Sequence, residues 1–193
     1  MTTTVRAETT VATRRVAVER VAATNAAAER FFGGNADGIA RACQAMADRF
    51  QRGGRLFVCG DGGQRSDVAH VVVEFVHPVV VGKRALPAMP LPDMAGGAAR
   101  RALATLGRSD DLLLVLSATA LDDPARALLD AGRANGLLTI ALTGGAAGAG
   151  AHADHVFMVP STDPCIVQET HEMLYHVLWE LVHVFFEHRA VSA

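Results

Sequence analysis

The chain is short of the residues that mark several common kinds of protein. Its 193 residues include 3 cysteines, Cys43, Cys59 and Cys165. The number is odd and no C-x-x-C occurs, so no disulfide framework is expected. No segment reaches the roughly 18 consecutive apolar residues of a membrane span. The amino end, Met1 to Glu8, lacks the apolar centre of a signal peptide, and the expected compartment is the cytoplasm. Lysine and arginine form no run and the net charge is −2, whereas a nucleic-acid groove would leave a basic stripe. Charged residues make up 20% and hydrophobic ones 50%, which excludes disorder and favours one compact domain that assembles with copies of itself. Tyr175 and Trp179, the single tyrosine and the single tryptophan, read as core or interface residues.

What is present is an alternation of strands and helices. Residues 9–32 contain no glycine or proline and favour a helix, which Gly33 and Gly34 stop. Residues 35–52 read as a second helix, ended by Gly53 and Gly54. Residues 1–53 therefore look like a helical assembly segment ahead of an α/β core at 54–193. Residues 55–59 and 111–117 are apolar runs of buried strands, and 137–143 and 155–159 are two more. Residues 85–91 carry Pro87 and Pro90, which put that strand at an edge or make it irregular. A helix is expected over 124–135, with Pro124 in its first turn and Gly136 past its end, and a long one over 164–188. Such alternation implies a mostly parallel sheet with helices on both faces. The expected architecture is a three-layer α-β-α sandwich with two extra amino-terminal helices.

In open parallel sheets ligands sit beyond the carboxyl ends of the strands. The loop after the first strand is rich in glycine, with Gly60, Gly62 and Gly63 able to turn sharply and expose N–H groups. Ser66 or Asp67 can cap the helix that follows. His70 and Glu74 are four residues apart, on one face of that helix at neighbouring turns. An imidazole and a carboxylate so placed can share a metal ion or divide acid and base roles. Gln168 and His176 make a second polar pair on the last helix. The four side chains are expected to meet. Glu169, His171 and Glu172 read as a solvated or intersubunit face, and His77, His152, His155, His183 and His188 as ordinary histidines.

C-G-D-G-G after a strand, H-x-x-x-E in the next helix, a hydroxyl-bearing loop after L-L-L-V-L-S and a late Q-E-x-H-x-x-x-x-H resemble the sugar isomerase (SIS) fold. Within it the chain is most similar to the phosphoheptose isomerases, which interconvert sedoheptulose 7-phosphate and an aldoheptose 7-phosphate as homotetramers. The resemblance implies a general base at Glu74 and a general acid at His176, working through an enediol. It also implies a zinc or other divalent ion on His70, Glu74, Gln168 and His176, and substrate contacts from Asp61, Gly62, Gly63, Gln64, Asp93, Ser117, Thr119 and Asp122. The expected partner is a small sugar-like substrate, with no nucleic acid and no membrane. Gln168 and His176 are eight residues apart, about 12 Å of helix rise, so both reach one ion only if their side chains stretch together or come from different subunits.

The phosphate half of the family pattern is altered. Gln64 stands where the family has a serine, Asp122 replaces the last serine of S-T-S-G-N-S, and Pro78 replaces an arginine. Asp122 and Asp123 sit where a helix amino end would attract an anion. Two other readings therefore stand beside the sugar-phosphate isomerase. One is an enzyme of the same fold and metal acting on a substrate without a phosphate or differently substituted. The other is a non-catalytic adaptor of the same fold.

Overall fold

The computed structural model describes residues 2–60, 62–145 and 152–191. Five parallel strands form one sheet: β1 (Leu56–Gly60), β2 (Ala88–Pro90), β3 (Leu112–Leu116), β4 (Leu138–Gly144) and β5 (His155–Val159), in the order β2-β1-β3-β4-β5. The helices are α1 (Thr2–Gln51), α2 (Arg65–Val76), α3 (Ala98–Leu106), α4 (Asp123–Ala134) and α5 (Pro164–Val191). Every residue of β1, β3 and β4 is buried, because both faces of the sheet are covered. Alternate side chains enter two cores. Leu56, Val58, Leu112 and Leu114 join Met46, Phe50, Val71, Phe75 and Tyr175, from α1, α2 and α5, on one face. Phe57, Cys59, Leu113 and Val115 join Leu103, Leu128 and Leu129, from α3 and α4, on the other. This is the expected three-layer sandwich.

The two expected amino-terminal helices are instead one helix of 50 residues. Gly33 and Gly34 do not stop it, and neither has a positive φ. A glycine inside a helix costs about 0.5–1 kcal/mol against alanine. Phe31, Ile39, Met46 and Phe50 are at most 3% exposed, and burying each such side chain contributes about 1.5–3 kcal/mol. Tertiary burial outweighs the local preference. The helix packs on α5, and farther out Arg20 holds Asp163 at 2.5 Å while Thr24 donates to Glu169 at 2.5 Å.

The short β2 lies at the sheet edge, as its prolines require. Leu56 donates to the Pro87 carbonyl and Leu91 to that of Val58, so Pro90 needs no N–H. Helix α3 has no counterpart in the sequence reading. It is only 9 residues long, and Gly96 (φ 66°) and Gly97 (φ 73°) turn the chain into it through the left-handed region. His183, buried in α5, lies between the carbonyls of Trp179 and Arg84 at 2.8 and 2.9 Å, tying the segment before β2 to α5.

Candidate functional site

The chain leaves β1 for β2 on one side and returns to β3 on the other, so the strand order reverses between β1 and β3. That point is where an open α/β sheet forms its ligand crevice. Gly60 ends β1 under the loop, where a Cβ would come within 2.8 Å of the Gln64 Cβ. Gly62, Gly63 and Gln64 form a single 3-10 turn that leads into α2. Asp61, an expected substrate contact, lies outside the described residues. Gln64 is the residue before the first turn of α2 and donates no side-chain cap, and neither Ser66 nor Asp67 is placed to cap it as expected. The helix begins too early for that: Ser66 and Asp67 already lie inside its first turn. Gln64 is 2% exposed, and its Oε1 has no hydrogen-bond partner among the described residues.

At the end of β3, buried Ser117 accepts from the Thr119 N–H at 3.4 Å, and the Thr119 hydroxyl donates to the Ala120 carbonyl. Asp122 caps α4, its Oδ1 accepting from the Ala125 N–H at 2.9 Å. The amino end of α4 is thus already engaged by a carboxylate of its own chain. Asp93 stands apart from this loop. It accepts from the Ala95 N–H at 2.9 Å and from Arg65 at 2.8 Å, and those two bonds hold its carboxyl below the usual range. Arg65 and Asp93 line the mouth of an apolar groove of about 740 Å³ between α2 and β2, along Val68, Val72 and Val76. His70 and Glu74 are on the side of α2 that does not line it.

Helices α2 and α5 bring the two distant histidines together. His70 Nε2 and His176 Nε2 are 3.3 Å apart. Gln168 does not join them. Its amide Nε2 donates to Asp67 Oδ2 at 2.9 Å, one turn before His70. Asp67 is 4% exposed, and burial raises its pKa against the pull of the Gln168 amide. Glu74, one turn beyond His70, is half-buried, and its charge is among those that raise the pKa of Tyr175, after burial, Glu172 and Asp67. The carboxylate that stands with both imidazoles is Glu172. Among the described residues His70, Glu172 and His176 form the group able to offer one cation three ligand atoms, all within 4.8 Å of one another.

Two residues set aside in the sequence reading therefore belong to this site. Glu172 lies 3.6 Å from His70 Nδ1, and the buried Tyr175 hydroxyl is 2.9 Å from the same nitrogen. The signal for Glu172 was its spacing: it precedes His176 by four residues, mirroring His70 and Glu74 on α2. His171 is not on a solvated face. It is 0% exposed, its Nε2 donates to the Thr143 carbonyl at 3.2 Å, and burial lowers its pKa to about 4, so the ring is neutral.

The SIS domain model matches residues 19–144. A phosphoheptose isomerase of Chlorobium phaeobacteroides is 34% identical over 165 residues, 77% of this chain and 73% of that one. Another, from Roseiflexus sp. strain RS-1, is 30% identical over 157 residues, covering 75% and 80%. The chain belongs to the phosphoheptose isomerase family of SIS domains. The family's fold is shared as well: the phosphoheptose isomerase of Neisseria gonorrhoeae superposes with a TM-score of 0.74 over 88% of this chain and 98% of its own, at 21% identity. No helix among the described residues is long and apolar enough to cross a membrane.

Proposed function

We propose that this protein interconverts an aldose and a ketose sugar phosphate of the sedoheptulose 7-phosphate kind through an enediol. Family membership supports the reaction class, and the facing of His70 and His176 at 3.3 Å across α2 and α5 supports the site. Moving a hydrogen between adjacent carbons needs a base beside the C–H and an acid beside the oxygen. Glu74 takes the proton from the carbon next to the carbonyl. His176 delivers a proton to the carbonyl oxygen, through Nδ1, since Nε2 is turned to His70. Glu74 then returns its proton to the neighbouring carbon, and His176 recovers one from the new carbonyl's hydroxyl.

The donor set fits a divalent ion. Imidazole nitrogens and carboxylate oxygens are zinc ligands, and of the expected quartet His70 and His176, which face each other with a carboxylate beside them, would hold it, while the Gln168 amide is engaged by Asp67. When bound, such an ion polarises the carbonyl and stabilises negative charge on the substrate oxygens. In this proposal the protein works in the cytoplasm as a homo-oligomer, with residues 1–53 serving assembly and 54–193 forming the catalytic core. Val16, Val18 and Val21 on α1, each at least 59% exposed, support that division.

One observation favours a second reading. The bond from the Ala125 N–H to Asp122 fills the amino end of α4 with negative charge, which repels a phosphate. A substrate of the same carbon skeleton without phosphate, or with an amine, would meet Asp122 without that repulsion. Turnover of sedoheptulose 7-phosphate by the purified protein tests the first reading, with Glu74→Gln as control. Activity that falls by about a hundredfold or more in the variant supports it. A fully active variant, or turnover only of unphosphorylated sugars, overturns it.

A further inference from the structure

We infer that Arg65 is the residue that binds the anionic end of the substrate, taking its phosphate at the amino end of α2 in exchange for the present partner, Asp93. That role presupposes the sugar-phosphate reading, since a substrate without an anion has no use for it.

Ligands of an open parallel sheet sit over the carboxyl ends of its strands, so the charges gathered there decide what can bind. From the ends of β1, β2, β3 and β5 to the first residue of the helix that follows, the described residues include the carboxylates of Asp93, Asp122, Asp123 and Asp163 and a single cation, Arg65. Three of the carboxylates are engaged elsewhere. Arg126 holds Asp123 at 2.9 Å, Arg20 of α1 holds Asp163 at 2.5 Å, and Asp122 caps α4. Arg65 is tied only to Asp93, at 2.8 Å, and the two side chains are 74% and 40% exposed. An exposed pair of this kind contributes little to stability. A phosphate offers more charge than a carboxylate, and a geometry that matches the guanidinium fork, so it displaces Asp93.

The surroundings of Arg65 suit a sugar phosphate. Arg65 is the first residue of α2, and no side chain caps that helix end. The helix dipole and unoccupied N–H groups favour an anion there. Gly62 leaves the approach clear, with nothing within 4 Å of where a Cβ would stand. Next to Arg65, the buried Gln64 carries an Oε1 with no partner among the described residues. A buried acceptor without a donor is costly, and a hydroxyl of a ligand seated at this end would supply one. Phosphate on Arg65 and hydroxyl on Gln64 is the pattern of a phosphorylated polyol. Glu74 follows Arg65 by nine residues of the same helix, about 13 Å of rise. Once released from Asp93, the exposed Arg65 side chain can turn over the helix end toward the crevice. Arg100 is the alternative cation. It lines a separate cavity of about 280 Å³ between α3 and α4, shared with Asp123, and those helices pack on the sheet face opposite to α2 and α5.

The test measures binding apart from turnover. Calorimetric titrations with sedoheptulose 7-phosphate and with free sedoheptulose are made on full-length protein carrying Glu74→Gln, which binds without reacting. Adding Arg65→Gln should weaken the phosphorylated sugar by about tenfold or more, the usual effect of losing a hydrogen bond to a charged group, and leave the free sugar unaffected. Arg65→Lys should recover part of the loss. Asp93→Asn, which frees the guanidinium, should tighten the phosphorylated sugar, and Arg100→Gln should change nothing. Arg65 loses this role if Arg65→Gln binds the phosphorylated sugar like the parent, if it weakens both sugars equally, or if Arg100→Gln produces the loss instead. A parent that binds only free sedoheptulose overturns the sugar-phosphate reading itself, and the role of Arg65 with it.

Discussion

Gln168 donates its side-chain amide to Asp67 across 2.9 Å, joining the start of α5 to the first turn of α2. The bond sets the distance between the two helices one turn below the facing histidines. Replacing Gln168 by leucine leaves the buried Asp67 carboxylate without that donor. A lost hydrogen bond to a charged group costs about 1.5–3 kcal/mol. Urea denaturation of Gln168→Leu should show a loss of that size. A variant as stable as the parent would mean that the bond does not hold the helices together.

Tyr175→Phe removes only the oxygen that meets His70 Nδ1 and keeps the buried ring. Zn²⁺ affinity should fall about tenfold, the usual effect of losing such a supporting bond. The Co²⁺ spectrum should shift while the melting temperature stays close to that of the parent. A variant with unchanged affinity and spectrum would remove Tyr175 from the site.

Asp122→Ser keeps a side chain able to cap α4 and deletes a negative charge from its amino end. The substitution should leave stability nearly unchanged and lower KM for a phosphorylated sugar. Asp122→Ala, which cannot cap, should cost about 1 kcal/mol. An unaltered KM in the serine variant would mean that this loop does not face the phosphate.

Asp111 supports the base of the sheet, where its carboxylate accepts from the Arg55 side chain at 2.7 Å and from the backbone N–H groups of Arg55 and Arg108 at 2.8 and 2.9 Å. Burial alone would raise its pKa, but these bonds together carry it below the usual value. The unfolded chain thus takes up the proton first. The stabilisation is present above the unfolded value, near about pH 4, and disappears as pH falls through the lowered folded value. Asp111→Asn should cost about 3 kcal/mol at neutral pH, at the lower end for a broken buried pair because Arg55 keeps some contact with water. Its deficit against the parent should shrink on acidification through that window. A deficit independent of pH would contradict the assigned charge.

Gly33 and Gly34 lie inside α1 with open space where a Cβ would point. Gly33→Ala and Gly34→Ala should each stabilise by about 0.5–1 kcal/mol, read as a higher melting temperature. A loss of stability would mean that the helix breaks there in solution.

Much of the architecture follows from local pattern alone. The apolar run at 112–116 and the mostly apolar 138–144, each short and bounded by turn residues, read as strands covered on both faces, and Asp122 with Pro124 starts α4 where their chemistry allows. The four-residue spacing of His70 and Glu74 announces a polar helix face without its partner. Tertiary structure decided the rest. The continuity of α1 past two glycines depends on distant residues that bury its far half, and that burial outweighs a small local cost. Which side chains of α5 meet His70 depends on how α5 is rotated against α2, a matter settled by the packing of Leu174, Tyr175 and Leu178 into the core. Spacing along one helix limits the choice to a face, and contact between two helices selects Glu172 and Tyr175 from it.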